Sequence, residues 1–236
     1  VSKPDKRCIN LVSIGANAFK DLDSIFSVCI ISNDIELGNN SFENCAKINA
    51  IELGNNSPKD CEIAKLTIGD FCFSGAISLT KLILQGSEIE IGKSSFRNCG
   101  LIKEIKLEFN TVTLHENAFT NCKSIEEIEI NAKTEFHAES NCFSNLINLN
   151  SITISSNIII IGDSCFFGCL LLKTILFSDA MKIVLGEKAF ESCNNIEKFN
   201  FEATNEFHGM NYCFSKSTSF CSILIQSEKI TIGDFG

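Results

Sequence analysis

The chain has 236 residues, a net charge of −9 and 44% hydrophobic residues. An acidic balance without any Lys/Arg cluster excludes a nucleic-acid partner. No apolar run reaches the length of a membrane-spanning helix, so this fragment makes no membrane contact of its own. The aromatics are lopsided: 20 Phe, one Tyr and no Trp, a demand for large apolar area without a polar group to satisfy.

The first element is the alternating pair Val12 and Ile14, which predicts a short strand with one buried face. Gly15 follows and predicts a sharp turn with positive φ. After Ala18, the residues Phe19, Leu22 and Ile25 keep a three-residue spacing, which predicts a helical or 3₁₀ turn pressing its Phe inward. Val28 and Ile30 alternate again and predict a second short strand.

This unit then recurs along the chain. Its phenylalanines are Phe19, Phe42, Phe73, Phe96, Phe119, Phe143, Phe166, Phe190 and Phe214, mostly 23 or 24 residues apart. Counted from each Phe as zero, positions +6, +9 and +11 are apolar in all nine repeats, as in Ile102, Ile105 and Leu107. Positions −7 and −5 form the second apolar pair, as in Ile35 and Leu37 or Ile183 and Leu185. Gly stands at −4 in six repeats, with His115, Glu139 and Met210 in the others. The residue before each Phe is small. One repeat cannot bury its apolar side alone, whereas stacked repeats bury one another. The expectation is one continuous domain over residues 1–236. It is a right-handed solenoid of about nine coils, roughly 40–45 Å long at about 4.8 Å per coil.

Between Phe42 and Phe73 the interval lengthens to 31 residues. The slack falls between Leu53 and Leu66, so an insertion at about 54–61 bulges from the turn between the two strands. Insertions on one edge of a solenoid are often functional, and equally often tolerated loops. Asn39-Asn40-Ser41 and Asn55-Asn56-Ser57 match the glycosylation acceptor pattern.

Around the fourth repeat the frame reads Ile91-Gly92, Ser95-Phe96, Cys99, Ile102, Ile105 and Leu107, and it returns around Phe119, Phe166 and Phe190. This string resembles the BspA-type leucine-rich repeat, and the resemblance covers essentially the whole chain. It implies a surface or secreted binding protein of the kind found in bacteria and anaerobic protists, linked to adhesion to host cells or matrix. It also implies that the +8 to +11 strands line a concave parallel sheet whose outward residues contact the partner. Those residues are Glu52, Lys81, Ile83, Glu104, Lys106, Glu127, Glu129, Thr153, Leu176, Lys198, Asn200 and Leu224. Two readings of them stay open. One is a solvated face with cross-strand charge pairs. The other is a recognition surface for a protein or glycan, with Ile83, Leu176 and Leu224 as exposed apolar anchors.

Thirteen cysteines invite a disulfide or metal reading. The frame answers it: Cys72, Cys142, Cys165 and Cys213 fill −1, and Cys45, Cys99, Cys122, Cys169 and Cys193 fill +3. These slots elsewhere hold Ala, Ser or Leu, so the demand is for a small apolar filler, which a free thiol meets. No metal or other cofactor is expected. Abundant Cys with few sequons keeps a cytoplasmic scaffold open as the alternative location and role, beside a purely structural spacer.

Further along, Thr134–Ser144 and Asn205–Ser215 repeat each other 71 residues apart, the mark of a duplicated three-coil block. His137 and His208 are then copies of one position and, with His115, are expected to be structural. No nucleophile motif and no phosphate-binding Gly loop is present, so no catalytic residue is assigned and no enzyme is expected. The last segment, 230–236, places Ile230, Ile232 and Gly233 at −7, −5 and −4 of a truncated tenth repeat. The chain is therefore expected to be a fragment whose signal or anchor lies elsewhere.

Overall fold

The computed structural model describes residues 11–54, 64–219 and 221–234, apart from the side chains of 198–200. Within them lie β1 (Leu11–Ile14), β2 (Ser27–Ile30), β3 (Asp34–Leu37), β4 (Ala50–Leu53), β5 (Lys65–Ile68), β6 (Lys81–Leu84), β7 (Glu88–Ile91) and β8 (Glu104–Leu114). They continue with β9 (Glu127–Ala138), β10 (Ser151–Ser155), β11 (Ile158–Ile161), β12 (Thr174–Ser178), β13 (Lys182–Leu185), β14 (Lys198–Glu202), β15 (Glu206–Gly209), β16 (Ser222–Gln226) and β17 (Lys229–Ile232). Each coil contributes two strands, and every pairing is parallel to the equivalent strand one coil away. β8 and β9 run from one face to the other without a break, so both their halves pair.

The −7/−5 strands form one unbroken ladder, β1-β3-β5-β7-β8-β9-β11-β13-β15-β17. The +8 to +11 strands do not. They form three hydrogen-bonded groups: β2-β4-β6, then β8-β9-β10-β12, then β14-β16. The sequence predicts the +8 to +11 set as the principal sheet, whereas the ladder that spans the structure is the other one.

Between Gly and the second strand there is no helix or 3₁₀ turn among the described residues. The segment is a run of β-turns with two left-handed residues per coil, at −2 and +2. Asn117 (φ 62°) and Asn121 (φ 63°) are one such pair, and Gly fills the second slot as Gly75 (φ 79°) and Gly168 (φ 71°). Asn, Ser and Gly recur there because they tolerate that region at low cost. Alternating right- and left-handed residues turn successive peptide groups in opposite directions. Ser94, Phe96 and Asn98 thus donate to Glu116, Ala118 and Thr120 carbonyls of the next coil at 2.9, 2.8 and 3.1 Å. Ser95, Arg97 and Cys99 close turns within their own coil. A helix would spend every N–H inside the coil, whereas this turn gives half of them to the stack.

The glycines at −4 have another reason than the predicted positive φ. Gly92 is not left-handed; a Cβ on it would meet the backbone N of Asp70 and C of Gly69, both at 2.7 Å. Only a residue without a side chain lets neighbouring coils approach so closely. Gly15, with no described coil before it, has nothing within 4 Å.

The core is the stack itself. Phe73, Phe96, Phe119, Phe143, Phe166 and Phe190 are fully buried. Successive rings from Phe19 to Phe214 lie 5.0–5.6 Å apart with interplanar angles of 3–16°. That is the offset-stacked geometry aromatic rings prefer.

Candidate functional site

Alternation along the +8 to +11 strands sends +9 and +11 into the core and +8 and +10 outward. In the central group, register aligns Lys106, Glu129, Thr153 and Leu176 as one continuous row, with Glu104, Glu127, Ser151 and Thr174 beside it. Lys106, Glu104, Glu127 and Glu129 are exposed, Thr153 is half-buried, and Leu176 shows 51% of its surface. The cross-strand charge pair is formed: Lys106 Nζ lies 3.1 Å from Glu129 Oε2 and 3.6 Å from Glu108 Oε1. The hydrogen bond to Glu129 holds the Lys106 ammonium above its ordinary pKa. Glu104 and Glu127, opposite each other, are like charges in register.

The other outward positions belong to separate groups. Glu52 pairs in register with Ile83, and Ala50 with Lys81, in the first group. Ile83 is half-buried and so projects less than Leu176. Leu224, exposed at 44%, lies in register with Asn200 in the last group. The side chains of Lys198 and Asn200, and residues 55–63 of the insertion, lie outside the described residues.

Sequence reasoning missed a second cluster, on the unbroken face. His115, which takes the −4 slot in place of Gly, bridges two coils. Its Nε2 lies 3.1 Å from Glu90 Oε1 and its Nδ1 3.0 Å from Glu139 Oε1. Glu139 Oε2 also accepts the Glu116 N–H at 3.1 Å, and Glu90 pairs with Lys65 at 3.3 Å. Partial burial opposes charging His115, but the two carboxylates outweigh it and its pKa is raised. The hydrogen bond from His115 holds Glu90 below the usual carboxylate range. The only signal in the sequence was the pair of Gly replacements, His115 and Glu139, in consecutive repeats.

The ladder cysteines do more than fill space. At +3, the thiols of Cys45, Cys99, Cys122, Cys169 and Cys193 lie 3.0–3.3 Å from the Phe carbonyl of the preceding coil. In the ninth repeat Ser217 makes the same bond to Phe190 O at 2.9 Å. A small donor thus fills the slot in six of nine repeats, while Leu22, Ala76 and Leu146 fill it without that bond. Burial pushes the Cys72 thiol up to about 12 and that of Cys213 to about 11. Such thiols stay protonated and are poor nucleophiles or metal ligands. Among the described residues no group of three or more His, Cys, Asp or Glu is placed to hold a metal, and no helix is long and apolar enough to cross a membrane.

Parallel coils, two strand faces and a stacked apolar spine define a leucine-rich-repeat solenoid. The family model of the BspA type leucine rich repeat region matches residues 8–65, 59–139 and 137–235, and the chain belongs to that family. Leucine-rich repeat proteins are generally protein-interaction modules and typically lack enzymatic activity. The chain is similar to the crystal structure of a leucine-rich repeat protein from Bacteroides ovatus, with 21% identity over 94% of this chain and 78% of that one, at a TM-score of 0.35. It is also similar to a leucine rich repeat protein of T. pallidum, with 16% identity, 78% and 71% coverage and a TM-score of 0.46. A leucine rich cell surface protein from Faecalibacterium prausnitzii matches with 16% identity, 91% and 83% coverage and a TM-score of 0.33. A search among curated proteins finds no match.

Proposed function

We propose that this chain is a non-enzymatic binding module that engages a protein or glycan through the outward residues of its +8 to +11 strands, in a cell-surface or secreted setting where it serves adhesion. The observation that carries this reading is the row Lys106, Glu129, Thr153 and Leu176. Inward neighbours on the same strands stay Ile, Leu or Phe and buried, while the row changes from cation to anion to hydroxyl to exposed Leu. A solvated structural face has no use for a half-exposed Leu at the end of a polar row, whereas a recognition surface uses such a side chain as an apolar anchor.

The test is an array of purified matrix proteins and glycans probed with the protein and with Leu176→Glu and Lys106→Glu. At least one ligand is expected to bind, and Leu176→Glu to weaken it about tenfold or more, the scale of a lost apolar anchor. Equal affinity of the wild type and both variants for every bound ligand, or an array with no bound ligand, refutes the reading.

The cytoplasmic scaffold has one observation in its favour, the free state of all eleven described cysteines. Labelling intact producing cells with a membrane-impermeant biotin reagent separates the two. Label on the protein supports the surface reading, and label only after lysis supports the scaffold.

A further inference from the structure

The unbroken ladder turns its −8 and −6 side chains outward, since −7 and −5 face the core. From β3 to β9 every residue at these two positions is polar or charged, and so is every one on β15 and β17. β11 and β13 depart from this with Ile158, Ile160 and Val184, all half-buried. In register, the −6 row reads Thr113, His137, Ile160, Val184, His208 and Thr231. The apolar patch thus lies between two histidines.

Beside the patch stands a pair of charges without partners. His115 is held by Glu90 and Glu139, and His208 by Glu206. Among the described residues, Glu135 and His137 on β9 make neither an ion pair nor a side-chain hydrogen bond. Both are half-buried. Two strand residues apart, they lean the same way and do not reach each other, so each can be satisfied only from outside the chain.

The two columns complement each other coil by coil, which is what a second copy of this chain requires. A twofold axis parallel to the solenoid axis lays two such sheets face to face, about 10 Å apart, with their strands antiparallel. Each −6 side chain then meets the −8 side chain of the same coil in the other copy. Ile160 meets Ile158, His137 meets Glu135, and Val184 lies under the aliphatic stem of Lys182. His208 meets Glu206, which Lys182 and Lys229 of its own chain already approach to 3.3 and 3.5 Å. An axis along the strands instead sets Glu135 against Glu206 and His137 against His208, like against like. On β7 both columns are acidic, as Glu88 and Glu90, so the contact ends at β8. We infer that the outward face of β9, β11, β13 and β15 is a self-association surface on which two copies pack antiparallel, with His137 of each donating to Glu135 of the other. Four strands of four residues give a footprint of roughly 20 by 13 Å, which belongs to the weak, transient class of interface. The +8 to +11 row lies on the other strand set, so the dimer carries two binding rows and gains avidity for a multivalent partner. Self-association here is independent of what that row binds.

Sedimentation velocity of the protein from about 5 µM to about 1 mM at neutral pH is the test, with half-association expected near about 100 µM. A monomer throughout that range overturns the assignment. Ile160→Thr places in the row a residue it already carries as Thr113 and Thr231, so the fold is kept, and a thermal melt checks that it is. This variant is expected to associate about tenfold more weakly or less. His137→Glu sets carboxylate against carboxylate and is expected to weaken association by about tenfold as well. Adding Glu135→His to it exchanges the two partners and is expected to return association to within about threefold of the wild type. Leu176→Glu is expected to associate as the wild type does. Unchanged association of Ile160→Thr, a double variant no stronger than His137→Glu, or loss of association with Leu176→Glu each overturn the assignment. The last of these moves self-association to the +8 to +11 row. A wild type that stays monomeric yet binds an array ligand through Leu176 leaves the binding module standing without the dimer.

Discussion

Truncating Phe119 to Ala isolates the energetics of the spine. Its ring is fully buried between Phe96 at 5.0 Å and Phe143 at 5.6 Å. Removing a buried Phe side chain costs about 3–5 kcal/mol, and a fully buried ring stacked on both sides is taken at the middle of that range, about 4 kcal/mol. Phe19 is the internal reference: it stacks on one described ring only, Phe42 at 5.1 Å, and is 38% exposed. Half the contact implies about 2 kcal/mol for Phe19→Ala. At a urea m-value of about 3 kcal/mol per M, the midpoints fall by about 1.3 M and about 0.7 M. Urea titration followed by far-UV circular dichroism measures both. Equal shifts, or a Phe119→Ala shift below about 0.7 M, would show that the stacked rings are not what couples the coils.

Three further outcomes follow from the same coordinates. Gly92→Ala is expected to lower stability by about 1–3 kcal/mol through overpacking against the Asp70 backbone, while Gly15→Ala, which meets no atom within 4 Å, stays within about 0.5 kcal/mol; thermal melts of the pair check this. Site-mapped alkylation of the native protein is expected to modify the exposed Cys29 and Cys221 and to spare the nine buried thiols until the chain unfolds; rapid native labelling of Cys122 or Cys169 contradicts the buried ladder. The His115 cluster gives a stability window in pH. Because the His115 pKa is raised on folding, its contribution is complete below the unfolded value of about 6.5 and fades as pH rises through the folded one. Glu90 is lowered on folding, so its contribution is present above about 4.5 and fades as pH falls. The melting-temperature gap between wild type and His115→Gln is therefore expected to be widest near pH 5–6 and to narrow by pH 8; a gap constant from pH 5 to 8 contradicts the paired His.

Fold and spine were legible because a solenoid states each structural requirement many times. One inward Phe is an accident; nine in the same frame are a stacked column, and rings about 5 Å apart are what that frame becomes. What failed was geometry at positions where two conformations share a residue preference. Gly at −4 fits positive φ and close approach equally well in sequence, and only the neighbouring coil at 2.7 Å decides for the second. The Asn-rich turn reads as a short helix by its three-residue spacing. Its left-handed residues at −2 and +2 were visible as Asn117 and Asn121, or Asn141 and Asn145, but a spacing argument confined to apolar residues passes over them. The +3 cysteines were read by size, and their donor role shows in sequence only through the one Ser that replaces them.

The candidate sites were harder to see for the opposite reason. Frame positions are repeated because the core tolerates little there; outward and corner positions are free to differ, so each appears once. Leu176 could be placed outward by alternation alone, since an outward Leu on a known strand needs no coordinates. Phe109 could not. It stands at +13, with Ser32, Gly86, Ala132, Ser156 and Ala203, and +13 lies outside the apolar frame that the spacing argument follows. In this molecule the departures from the repeat carry what is specific to it: a bulky ring in a small slot, His in place of Gly and Leu on a polar row. Each acts through the coil next to it, so the unit of function is the coil pair even where the unit of sequence is the single repeat.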